Sequence, residues 1–282
     1  MLSMLKLLTI TLLLSSVAYA QDTSKQDTSK KVSEFLSEQF SENPRIESVN
    51  VKVSDVVPLD DLKGWNAYVL DVSAVLKDKP KEKVQQRMLW FSDGEIITKE
   101  LIKMSSGESL TDLVKPDFKP EYYAKSNLIY GDANAKHRVA IFSDPLCPFC
   151  RGFVPDAIKE MKKSPKKFAI YYYHFPLERL HPAAVTLVKA AAAAELKGIK
   201  DVVLKLYSVE IDANEKNTGK ILAAFNKAVG SKITEIDLQN PAVMKHIKFD
   251  KDVAASLMVA GTPTLYFDDK IDQTKKKYKS VK

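Results

Sequence analysis

Phe142-Ser143-Asp144-Pro145-Leu146-Cys147-Pro148-Phe149-Cys150 runs from an apolar segment straight into a Cys-x-x-Cys pair, and these are the chain's two cysteines. Residues 138–143 predict a short buried strand, and residues 154–161 carry apolar side chains at helical spacing. A Cys-x-x-Cys where a strand hands over to a helix places its first sulfur at the positive end of the helix macrodipole, near unpaired backbone N–H groups. Its thiolate is thereby favoured. A thiolate attacks a disulfide to give a mixed disulfide, and a second thiol three positions on is close enough to resolve it. Cys147 is therefore the expected nucleophile and Cys150 the expected resolving thiol. Pro148 suits the first helical turn, where its missing N–H is not needed.

Other uses of the pair fit less well. A zinc site needs about four ligands, and the remaining donors, His137, His174, His181, His246 and the carboxylates, form no paired motif. No metal or cofactor is expected. A purely structural disulfide is weak, because closing so short a loop removes little unfolded-state entropy. A binding domain that keeps the motif without using its redox chemistry stays open.

Beyond the motif, residues 168–175 read as a second strand rich in aromatics, and residues 182–230 as helical throughout, beginning with an alanine-rich stretch at 183–196. A further helix is expected over 242–259, then a strand at 264–267 after Gly261-Thr262-Pro263. Strand, helix, strand, helices, strand is an α/β pattern. Upstream, Val32, Phe35, Leu36 and Phe40 put an apolar stripe on a short helix that Asn43-Pro44 stops. The period then changes to two at Ile46, Val49, Val51 and Val53, at 67–75 and at 88–91. Asp93-Gly94 is a tight turn before Ile96 and Ile97, so a small antiparallel sheet is expected.

The division that follows is a secretory signal over 1–20, a flexible leader over 21–30, a small α+β domain over 31–105, a linker over 106–127 and an α/β domain over 128–282. The signal rests on Lys6, the apolar run 7–17 and Ala18-Tyr19-Ala20, with cleavage after Ala20. That apolar run is about half of the roughly 20 residues that cross a bilayer. The leader is the repeat Gln-Asp-Thr-Ser-Lys, twice, with no apolar residue. Gly107, Pro116 and Pro120 mark the linker, around one apolar stretch at 110–114.

With 282 residues and 45% apolar side chains there is material for a buried core. The net charge of +7 becomes +6 once Lys6 leaves with the signal. The basic residues are spread along the chain without the aromatic interleaving that holds single strands, so no nucleic-acid partner is expected. An exported protein lives where disulfides persist, so the two cysteines are expected to be joined part of the time.

The quoted motif resembles the active site of periplasmic disulfide isomerases of the DsbC/DsbG type, in the thioredoxin-like superfamily. Two further elements agree: Thr262-Pro263 stands where that superfamily places a cis-proline opposite the redox pair, and Pro155 lies five residues after Cys150, where thioredoxins often carry a helix-kinking proline. The resemblance implies a thioredoxin-like domain with a helical insertion, preceded by a dimerisation domain, 31–105, and a linker. It implies a homodimer, with Thr262 and Pro263 contacting substrate, and with Pro148 and Phe149, the dipeptide between the cysteines, as a main control of redox poise. That dipeptide is closer to DsbG than to DsbC. Asp144 is expected to cap the helix or tune proton transfer. His174 and His181 bracket the loop after the second strand, within reach of the active site.

Three functions remain at this point. A periplasmic isomerase would reshuffle the disulfides of misfolded or unfolded secreted proteins and be kept reduced by a membrane thiol reductase. An oxidase would donate its disulfide and be reoxidised by a quinone-linked membrane partner. A dimeric holdase chaperone would bind unfolded chains, with the cysteines secondary.

Overall fold

The computed structural model describes residues 27–60, 62–107 and 109–281; the signal expected over 1–20 and most of the leader lie outside them. The described chain forms two compact units that meet between Val114 and Lys115.

The first unit opens with helix α1 over residues 27–41, which takes in the last residues of the expected leader. Four strands follow as an antiparallel meander in the order β1 (Ile46–Pro58), β2 (Asn66–Leu76), β3 (Lys79–Ser92) and β4 (Ile97–Thr98). The period-two alternation sorts the central strand's side chains. Tyr68 and Leu70, opposite Trp90 and Met88, pack with Val32 and Leu36 of α1, whereas Ala67, opposite Phe91, packs with Leu110 in a second cluster. Asp93 fixes the tight turn after β3 by accepting the N–H groups of Glu95 and Ile96.

The second unit is built on a five-stranded sheet in the order β5 (Leu128–Tyr130), β7 (Phe168–His174), β6 (His137–Ser143), β8 (Thr264–Phe267) and β9 (Lys270–Ile271). β6 and β7 are parallel; the other pairs are antiparallel. Alternation again divides the faces. Val139, Ile141, Ile170 and Tyr172 meet helix α2 (Pro148–Lys162), while Ala140, Phe142, Ala169, Tyr171 and Tyr173 meet α7 (Pro241–Ser256). With a layer on each side, β6 and β7 are buried on both faces, which is why they read as unbroken apolar runs. Gly131, at φ +79°, lets the chain leaving β5 lie against β7, since a Cβ there would sit 1.9 Å from the Phe168 carbonyl oxygen.

Between β7 and β8 lie α3 (Pro182–Leu196), α4 (Val202–Leu206), α5 (Thr218–Val229) and α6 (Glu235–Leu238), and α8 (Lys277–Ser280) closes the unit. Ala190 to Ala194 are all buried, so α3 is covered on every side and its small residues admit close neighbours.

Two expectations are corrected. Residues 182–230 are not one helical run: Gly198, at φ +78°, ends α3, and between α4 and α5 the side chains of Asp212, Glu215 and Asn217 take backbone N–H groups that a helix would use internally. The helix expected over 242–259 ends at Ser256. The division between the units falls within the stretch 106–127 expected as a linker with a helical turn or two; on either side of it Leu110 is buried in the first unit's core and Phe118 in the second's, where it contacts Tyr122, Tyr123, Phe142, Tyr173 and Tyr266.

Candidate active site

Cys147 is the N-cap of α2, with extended backbone (φ −64°, ψ 123°), and Pro148 occupies the first helical position. β6 ends at Ser143, so four residues carry the chain from the sheet to the helix, and the first sulfur sits at the helix N-terminus as the spacing predicts. Both cysteines are free thiols. Cys147 is 4% exposed and Cys150, one turn into the helix, not at all. The sulfur of Cys147 faces the Thr262 carbonyl oxygen at 3.8 Å. The peptide bond between Thr262 and Pro263 is cis, as the resemblance implies, and it precedes β8, which pairs with β6. The two halves of the site, far apart in sequence, are therefore brought together by adjacent strands.

The cysteines differ in their surroundings. Burial pushes the Cys150 thiol up to about 11, with the nearby Ser143 hydroxyl acting in the opposite sense and a further rise from Cys147. At neutral pH a thiol of that pKa is ionised in roughly one molecule in ten thousand. Phe149, between the two, is 78% exposed and projects from the site.

Asp144 is fully buried, and its role differs from the expected cap. One carboxylate oxygen accepts the N–H groups of Leu146 (2.7 Å) and Cys147 (3.2 Å); the other accepts the N–H of Leu177 (2.7 Å) and meets Nδ1 of His181 (3.0 Å). A helix cap bonds N–H groups beyond the N-cap, whereas Asp144 braces the turn that leads into Cys147. Arg151 braces the same turn from α2, donating to the carbonyl oxygens of Pro145 and Val209.

Of the two histidines expected near the site, the structure brings in His181 alone. His174 lies in a separate buried cluster, its N–H donated to Asp250 and its ring against His246; burial, then the neighbouring His246, hold its imidazole down to about 3. Ser143, Tyr172, Tyr207 and Arg151 also belong to the site and were not singled out in the sequence. Tyr207 reaches Ser143 from 64 residues away, a pairing with no local signal. Among the described residues no group of three or more His, Cys, Asp or Glu could hold a metal ion.

A central β6-α2-β7 unit, continued by β8, β9 and a last helix, with a Cys-x-x-Cys opening the first helix opposite a cis-proline, defines a thioredoxin-fold domain bearing a dithiol. Residues 124–282 match the family described as Thioredoxin, and the chain belongs to that family.

Among solved structures, the chain is similar to BdbD from Bacillus subtilis in its oxidised form, with 18% identity over 59% of this chain and 92% of that one and a TM-score of 0.48. It is similar to a thioredoxin-like oxidoreductase from Silicibacter pomeroyi DSS-3, with 19% identity over 57% and 96% and a TM-score of 0.44. ScsC from Proteus mirabilis, in a compact conformation, gives 20% identity over 54% and 73% and a TM-score of 0.43.

Among curated proteins, Na(+)/H(+) antiporter NhaA 1 from Mycolicibacterium gilvum (strain PYR-GCK) is 26% identical over 144 residues, 50% of this chain. The chain covers 23% of that antiporter's length. No helix among the described residues is long and apolar enough to cross a membrane.

Proposed function

We propose that the protein is a thiol-disulfide oxidoreductase acting on protein disulfides, working as an isomerase or reductase. The observation that carries this reading is the placement of Cys147 at the N-terminus of α2, 3.8 Å from the carbonyl that precedes cis-Pro263, with Cys150 buried one turn behind it. The helix end favours the thiolate, and the backbone beside the cis-proline offers an extended client a strand-like partner.

The Cys147 thiolate attacks one sulfur of a client disulfide; an S–S bond to the client forms, the client's own S–S bond breaks, and its other sulfur leaves as a thiolate. Two exits follow. A second client thiolate attacks the mixed disulfide and releases Cys147 unchanged, which is isomerisation. Alternatively, the Cys150 thiolate attacks the Cys147 sulfur, releasing the client as a dithiol and leaving Cys147 and Cys150 oxidised to a disulfide. Burial of Cys150 slows the second exit and gives the client time for the first.

In this reading the resemblance to DsbC/DsbG-type isomerases extends to the setting: an exported, periplasmic homodimer joined through its first unit, serving misfolded or unfolded secreted proteins and kept reduced by a membrane thiol reductase.

The test compares two rates with the purified protein: reactivation of a scrambled multi-disulfide enzyme, and oxidation of the same enzyme from its fully reduced form. Faster unscrambling that requires Cys147 supports the isomerase. Faster oxidation with poor unscrambling would make it an oxidase, and Cys147→Ala with undiminished suppression of client aggregation would make it a chaperone.

A further inference from the structure

We propose that His181 is a positioning residue for Cys147, acting through the buried carboxylate of Asp144; the inference deepens the thiol-disulfide reading and rests on it. Asp144 is wholly removed from water, and a buried carboxylate is stable only when its lone pairs are met. Three of its four donors are backbone N–H groups, of Leu146, Cys147 and Leu177. The fourth is Nδ1 of His181, at 3.0 Å. An acceptor-only carboxylate requires that Nδ1 carry the proton, which fixes the tautomer.

A local role does not account for this side chain. His181 stands at the N-cap of α3, yet it makes no capping hydrogen bond to that helix. Its ring, 14% exposed, is turned away from its own element and toward Asp144, 37 residues earlier. There it holds the oxygen that also takes the Leu177 N–H, and so sets the rotamer that presents the other oxygen to Leu146 and Cys147. The reactive turn is thus tied to residues 175–181, a loop that also carries the exposed side chains of Glu178, Arg179 and Leu180.

Removing the His181 donor has two consequences for Cys147. The carboxylate loses the bond that orients it, so the N–H of Cys147 and the helix N-terminus built on it are held less well. The negative charge of Asp144, bonded to that same N–H, is also left less compensated, and a nearby like charge disfavours a thiolate. Both effects lower the thiolate fraction of the nucleophile.

The test uses the full chain with Cys150→Ala, so that Cys147 is the single thiol, and follows its alkylation by iodoacetamide across pH. His181→Phe is expected to raise the titration midpoint of Cys147 by about one unit and so to cut alkylation about tenfold at pH values below the parent's midpoint, one pKa unit corresponding to a factor of ten. His181→Asn, whose amide N–H stands near the position of Nδ1, is expected to stay within about threefold of the parent. Thermal melts accompany each variant. A midpoint unmoved in His181→Phe, even with a lowered Tm, would reduce His181 to a structural role and overturn the proposal. Asn and Phe variants that lose reactivity equally would overturn it as well, since the donor would then not be the operative feature. If the Phe variant does not fold, His181→Ala, which also lacks the donor, carries the same expectation and the same overturning result. The alkylation readout needs no turnover, so a protein with no isomerase activity but with the predicted shift would sink the functional reading and leave this one standing.

Discussion

Ser143 Oγ lies 2.6 Å from the Tyr207 hydroxyl, which lies 2.9 Å from that of Tyr172, and all three are buried beneath the redox pair. Burial raises both phenols well above their ordinary value, so they stay protonated and act as oriented dipoles. The Ser143 hydroxyl also favours the Cys150 thiolate, against the effect of burial. A chain of hydroxyls supplied from β6, β7 and the C-terminal end of α4 therefore lies beneath Cys150.

Ser143→Ala removes the group that favours the Cys150 thiolate. The Cys150 thiol, already pushed up by burial, should titrate higher than in the parent, and mixed disulfides between Cys147 and a client should persist longer. Acid quenching followed by mass spectrometry measures their lifetime; an unchanged lifetime would show that Ser143 does not act on the resolving step. The lost hydrogen bond should cost about 1 kcal/mol of stability.

Phe149 contributes little to the packed core at 78% exposure, so Phe149→Ala should leave stability within about 0.5 kcal/mol of the parent. Under the proposed function, its position between the cysteines puts it against a docked chain. The substitution should raise KM for protein clients while leaving reaction with glutathione disulfide nearly unchanged. An equal loss with both substrates would assign Phe149 to redox tuning instead.

The sequence made the redox turn legible because its signals are local: a run of apolar residues, a Cys-x-x-Cys, a proline at the helix start. The antiparallel sheet of the first unit was legible for the same reason, through alternation. What escaped were contacts set by the tertiary fold. Phe118 looked like part of a Pro- and Gly-marked connection, yet it fills a pocket among five aromatic rings. Strands β5 and β9 are three and two residues long, too short to show a period. Asp144 stood where a capping residue belongs, and only the folded chain reveals that Leu177 and His181 share it.

The place of Phe118 sets where the second unit begins. A fragment from Lys115 to the C-terminus keeps that ring, its N–H bond to the Asp269 carbonyl and the Tyr123 hydroxyl bond to the Asp269 carboxylate. A fragment starting at residue 128 loses all three and leaves a cavity, which for a buried phenylalanine costs about 3 to 5 kcal/mol. The longer fragment should melt cooperatively and the shorter one at a much lower temperature, as followed by circular dichroism. Similar melting of both would mean that Phe118 packs without stabilising.

Glu195, near the end of α3, borders a cavity of about 470 Å³ shared with Tyr130, Ile158 and His246. Burial pushes its carboxyl up from 4.5 to about 7. Between those values the folded protein holds a proton that the unfolded chain has released, so this group's contribution to stability falls as pH rises through the window. His174 acts in the opposite sense: held down to about 3 when folded, it is neutral where the unfolded chain binds a proton, and stability is lost as pH drops below 6.5. The two trends offset each other between about 4.5 and 6.5, so the parent's pH profile conceals both. Glu195→Gln separates them, because the amide matches the protonated acid and cannot ionise. The variant's advantage in urea unfolding should be near zero at pH 4.5 and grow to on the order of 2 to 3 kcal/mol by pH 8. A difference that stays flat across pH would mean that the Glu195 carboxylate is already ionised in the folded protein at neutral pH, with the cavity supplying the water that keeps it so.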